Sequence, residues 1–92
     1  MSFPNCWQQH TKTELLTILA EECAEVIVEC SKIHRFGNDT TTLEAELGDV
    51  LCMMELLQKH DLINWHNVEQ CAQAKEMKLR RWSNIFKGGK NE

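Results

Sequence analysis

The chain has 92 residues with one proline, four glycines and a hydrophobic fraction of 42%, which excludes a disordered chain and suits one small helical domain. A chain this short hides only about 60–65% of its unfolded surface, so size alone favours association with further copies. Its net charge of -4 excludes a general nucleic-acid binder, though not a phosphate ligand that arrives with cations.

Residues 1–10 read as an N-terminal arm or a short helix. Thr11-Lys12-Thr13-Glu14 has the form of a capping box ahead of a periodic apolar run, which predicts a first helix over about 12–35. Gly37 suits the left-handed position that ends it. Thr41-Thr42-Leu43-Glu44 repeats the capping form and predicts a second helix over about 42–59. After a connection at His60–Asn64, a third helix is predicted over about 65–83, and residues 87–92 read as a flexible tail. The fold class is therefore all-α, a single domain of three main helices forming a bundle that oligomerisation completes.

At 100° per residue, Leu15, Leu16, Ile18, Leu19, Cys23, Val26, Ile27, Cys30 and Ile33 span an apolar arc of about 180° on the first helix. Glu22 falls inside that arc, Glu25 at its margin and Glu21 well off it. On the second helix Leu43, Leu47, Val50, Leu51, Met53, Met54 and Leu57 define the arc. Glu46 lies inside it and Asp49 on its edge, while Ala45, Cys52 and Leu56 form a second apolar strip. The third helix carries Trp65, Val68, Cys71, Ala72, Leu79 and Trp82 on its arc, with Lys75 inside it and Lys78 at the margin. Trp82 reads as core. Trp7, Phe36, Asn38 and Trp82 are the residues able to stack on or hydrogen-bond a base.

A carboxylate in an apolar seam is expensive unless something positive meets it. Glu22 with Glu25, and Glu46 with Asp49, are spaced to share a helix face, so two facing helices gather four carboxylates in one volume. Hard oxygen donors without imidazole or thiolate favour Mg2+, with Mn2+ as a possible substitute. The absence of any Glu-x-x-His pair argues against a bundle di-iron centre. An ion-pair network with Lys32 and Lys75 is the competing explanation. Glu29 also lies in the arc, where it can meet Lys32 or Lys75 or extend the acidic group.

The five cysteines are odd in number and form no C-x-x-C; they read as reduced, buried thiols of a cytoplasmic protein. The histidines have no ligand spacing. No apolar run nears the roughly 20 residues of a membrane span, and no signal peptide is visible at Met1–Asn5.

Glu21-Glu22-Cys23-Ala24-Glu25, followed after a glycine-containing loop by Glu46-Leu47-Gly48-Asp49, resembles the E-E-x-x-E and E-x-x-D motifs of the MazG-like all-α nucleoside triphosphate pyrophosphohydrolases. A basic third stretch, Lys75 to Trp82, accompanies them, and the likeness covers about residues 14–83. The resemblance implies a helical bundle, Mg2+ dependence, a homodimer or homotetramer, and cleavage of a nucleoside triphosphate to monophosphate and pyrophosphate. It implies Glu22, Glu25, Glu46 and Asp49 as metal ligands, and Glu21 as an outer-shell or water-orienting residue beside Glu22. Lys75 is then the cation for the leaving pyrophosphate, with Lys32, Lys78 and Arg81 as further substrate-binding candidates. Larger family members carry a full helix before the first motif, where this chain offers residues 1–10. A non-catalytic helical oligomer or partner-binding protein on the same scaffold is the alternative.

Overall fold

A computed structural model describes the backbone of residues 3–86 and the side chains of residues 10–86. Among the described residues there are three α-helices and one short 3-10 helix, and no strand. They run α1 Phe3–Phe36, α2 Thr41–Lys59 and α3 Trp65–Trp82, with the 3-10 turn at Asn84–Phe86. The all-α expectation holds. No described helix is long and apolar enough to cross a membrane. The tail expected over residues 87–92, and the side chains of Phe3 and Trp7, lie outside the described residues.

The first helix begins earlier than the capping pattern predicts. Its backbone is continuous from Phe3, so residues 3–10 are neither an arm nor a separate short helix. Pro4 sits in the first turn, where its missing N–H has no intrahelical partner to lose. No glycine or further proline interrupts the chain between there and Gly37, so the Thr11–Glu14 pattern falls inside a helix that was already running.

The end of α1 follows the glycine. Gly37 has a φ of 71°, and its N–H donates to the Ile33 carbonyl at 2.9 Å. The start of α2 lies one step earlier than expected, with Thr40 at the N-cap position and no side-chain cap bond from it; the preceding Asp39 Oδ1 accepts from the Thr41 N–H at 3.0 Å. The Thr40 hydroxyl donates to the Glu44 carboxylate at 3.2 Å. Asn64 caps α3, its side-chain oxygen accepting from the Asn67 N–H at 3.1 Å.

Two glycines predict opposite responses to alanine. A Cβ at either Gly37 or Gly48 meets nothing within 4 Å, but Gly37 alone holds a positive φ. Gly37→Ala is expected to destabilise by about 1 kcal/mol through backbone strain. Gly48→Ala, inside a helix with open space, is expected to stabilise by about 0.5–1 kcal/mol. Chemical denaturation of the two variants checks both signs.

The chain forms two compact units, Met1–Leu62 and Ile63–Glu92. In the first, α1 and α2 pack against each other, and the short connection at residues 37–40 makes them an antiparallel hairpin. The buried apolar residues are Leu15, Met53 and Leu57. Half-buried Ile18, Leu19, Val26, Ile33, Leu43 and Val50 extend the seam.

That seam takes only half of the expected arc on α1. Leu16 is 46% and Ile27 69% exposed, and Cys23 and Cys30 are exposed as free thiols. Two helices in contact cover a stripe, and the remainder of a 180° arc stays open. The expectation of buried cysteines fails for this reason in α1, and Cys52 and Cys71 are also exposed. On α2, Leu47 and Leu51 are 47% and 49% exposed.

In the second unit the arc of α3 is only thinly covered. Val68 and Leu79 are half-buried, Lys75 is exposed, and Trp82, read as core, is 76% exposed. Arg80 pairs with Glu76 at 2.8 Å and lies over the Phe86 ring, 4.4 Å from its centre.

Candidate metal centre

The seam of α1 places a residue against α2 every three or four positions, and Glu22 occupies one of those positions. On α2, Glu46 occupies another, with Asp49 one turn further on. Carboxylate oxygens of Glu22, Glu46 and Asp49 lie within 4.8 Å of one another. Glu22 and Glu46 are half-buried and Asp49 is exposed, so the group is rooted in the seam and opens to solvent at one rim.

Among the described residues of the hairpin, the ion pair is Lys32 Nζ to Glu29 at 3.5 Å. None joins Glu22, Glu46 or Asp49, so the expected competing network does not neutralise them within the hairpin. The electrostatics show it. Desolvation raises the Glu22 carboxyl above its ordinary 4.5, helped by the Asp49 charge and by a hydrogen bond to Asp49, then by Glu25 and Glu21. Glu46 is raised as well, first by desolvation and then by the charges of Glu25, Asp49, Glu22 and Glu29.

Glu25 is exposed and outside the close group of three, though its charge reaches both Glu22 and Glu46. Glu21 is exposed, and its charge reaches Glu22. Of the basic candidates, Lys32 is occupied by Glu29. Lys75, Lys78 and Arg81 belong to α3 and are exposed. Lys78 and Arg81 line an open cleft of the second unit with Ala74, Met77 and Trp82. Glu29 is the one buried charged residue among those described. Its position seven residues after Glu22, two helical turns along the same seam, is the signal that locates it.

Three oxygens from three separate carboxylates, with no thiolate or imidazole among them, form a donor set that fits a hard divalent cation. The same group predicts an unusual pH response for the metal-free chain. The folded values of Glu22 and Glu46 lie above 4.5, so between that value and the raised ones the folded chain holds more protons than the unfolded chain. Stability then falls as pH rises through the window, and acidification toward 4.5 recovers it. Asp39 acts oppositely and lower down: the Thr41 N–H holds it below its ordinary 3.8, so its contribution is present above that value and lost in stronger acid. Thermal melts in chelator, stepped upward from pH 4.5, should show Tm decreasing as pH first rises; a Tm that rises instead contradicts the raised carboxyls of Glu22 and Glu46.

A family model described as the MazG nucleotide pyrophosphohydrolase domain matches residues 10–81. No curated protein and no solved structure matches the chain.

Proposed function

The chain belongs to the MazG nucleotide pyrophosphohydrolase domain family, and from that membership we propose that it is a Mg2+-dependent pyrophosphohydrolase of nucleoside or deoxynucleoside triphosphates. The products are the monophosphate and pyrophosphate. One observation carries this reading: three carboxylates within 4.8 Å that no basic residue of the hairpin neutralises among the described residues. Such a group is costly for a structural purpose alone and is explained by a cation.

In this reading Glu22, Glu25, Glu46 and Asp49 hold Mg2+, or Mn2+ in its place. When bound, the ion would supply positive charge for the triphosphate and the means to activate water for attack. Glu21, at the outer edge of the group, orients the attacking water. Lys75, with Lys78 and Arg81, offsets charge on the leaving pyrophosphate. Lys32 is the weakest of the substrate contacts, because its ammonium is already engaged by Glu29.

The proposal includes a homo-oligomer, a dimer or tetramer. The uncovered Leu16, Ile27, Leu47 and Leu51 support it, since isolated small domains seldom leave a continuous apolar strip open. A cytoplasmic setting belongs to the same reading and agrees with the free thiols at Cys23, Cys30, Cys52 and Cys71.

The test is pyrophosphate release from a panel of standard and modified triphosphates with and without Mg2+. Release from at least one, abolished by chelator, is the expected result. No release from any triphosphate at concentrations that show binding overturns the enzyme reading. A chain also indifferent to millimolar Mg2+ in thermal melts is then a non-catalytic oligomer.

A further inference from the structure

Four residues of the described chain are buried: Leu15, Met53, Leu57 and Glu29. Three are the apolar residues a helical hairpin needs. The fourth is a carboxylate with 7% of its surface exposed, in a seam position flanked by half-buried Val26 and Ile33. Its visible partner is Lys32, three residues on, at 3.5 Å and with half of its side chain in solvent. A helical pair of that kind contributes little to stability. A leucine in place of Glu29 would complete the seam without desolvating a charge, so the ion pair is a poor structural reason for the residue.

We propose that Glu29 is a positioning residue of the candidate metal centre, holding a fixed negative charge on the loop side of Glu46 that turns the Glu46 carboxylate toward Glu22 and Asp49. This rests on the metal-centre reading above. Glu29 lies one turn beyond Glu25 and two beyond Glu22 on α1. Its charge is one of the four that bear on Glu46. Lys32 meets that carboxylate at the solvent edge, at 3.5 Å, and joins none of the three clustered acids. Like charges on both sides leave Glu46 poorly satisfied until a cation arrives, so Glu29 adds to the negative potential that draws the cation in.

The experiment is a titration with Mn2+ alone, followed by its electron paramagnetic resonance signal, beside thermal melts in chelator. Wild type is compared with Glu29→Gln, Glu29→Leu and Glu29→Asp. Glu29→Gln and Glu29→Leu are expected to keep or raise the metal-free Tm while weakening Mn2+ binding roughly tenfold, the size typical of groups behind metal ligands. Glu29→Asp, which restores the charge, should recover part of that loss. Unchanged Mn2+ affinity in a folded Gln or Leu variant overturns the role of Glu29 and leaves the metal centre standing. Failure of both variants to fold also overturns it, because the carboxylate is then structural. A wild-type chain that binds no Mn2+ removes the metal centre itself.

Discussion

Glu46→Gln is expected to abolish metal-dependent pyrophosphate release, by a factor of about a hundred or more, and to leave the chain folded. Glu46 is the residue on which the other acids converge: Glu25, Asp49, Glu22 and Glu29 all act on it, and it is drawn partly out of water by the seam. Loss of a group behind a metal ligand already costs about 10–100-fold, and Glu46 is proposed as a ligand itself. Glutamine keeps the length and one oxygen but removes the charge, so the ion loses an anionic donor and the triphosphate loses the ion. Stability should move the other way. Removing one member of a like-charged group relieves repulsion in the metal-free chain, so Tm in chelator should hold or rise, while the stabilisation by added Mg2+ seen in wild type shrinks. Steady-state kinetics with melts in chelator and in Mg2+ read both effects. Undiminished kcat/KM would remove Glu46 from the site; collapse of the fold would make the acids a structural network.

The site and the fold were legible in the sequence to different depths, for physical reasons. Glu22 and Glu46 stand out because each has apolar residues three or four positions away on both sides, and a seam position is a local property of one helix. Gly37 likewise announces a left-handed turn by itself, and its φ of 71° follows. The start of α1 was not legible. A Thr-x-x-Glu pattern permits a helix to begin but does not stop one that began earlier, and only a breaker between Pro4 and Thr11 would have done so. The burial of Cys23, Cys30 and Trp82 was misread for another reason. Periodicity gives the width of an apolar arc, but how much of it is covered depends on the number of neighbours, which one chain's pattern does not contain. Glu29 shows both limits together: its place in the arc was visible, but its pairing with Lys32 depends on side-chain reach, which periodicity does not give.

The uncovered half of the α1 arc carries the second large effect: Ile27→Glu is expected to break the proposed oligomer and lower Tm. In an antiparallel hairpin, strips displaced in the same rotational sense from the seam on both helices emerge on the same side. Leu16, Cys23, Ile27 and Cys30 on α1 and Leu47 and Leu51 on α2 are displaced in one sense, whereas Glu25 and Asp49 are displaced in the other. The hairpin therefore has an acidic rim and an apolar rim, and a second copy could cover the apolar one without meeting the acidic group. The need for cover is evident from the core, where the buried apolar residues among those described are Leu15, Met53 and Leu57, too little for a small domain by itself. Ile27, at 69% exposure, is the most open of the strip's large apolar residues. A glutamate there would be buried unpaired, and in a two-fold interface each substitution is made twice. Since every 1.4 kcal/mol is a tenfold change, a loss of association of about a hundredfold or more follows. Val28→Glu is the control: Val28 is 44% exposed but points away from both the seam and the apolar rim, so its variant should keep the wild-type mass. Sedimentation velocity across a concentration series reads the outcome. A wild-type chain that sediments as a monomer throughout, or an Ile27→Glu variant that associates as wild type does, assigns the apolar rim to something other than a second copy.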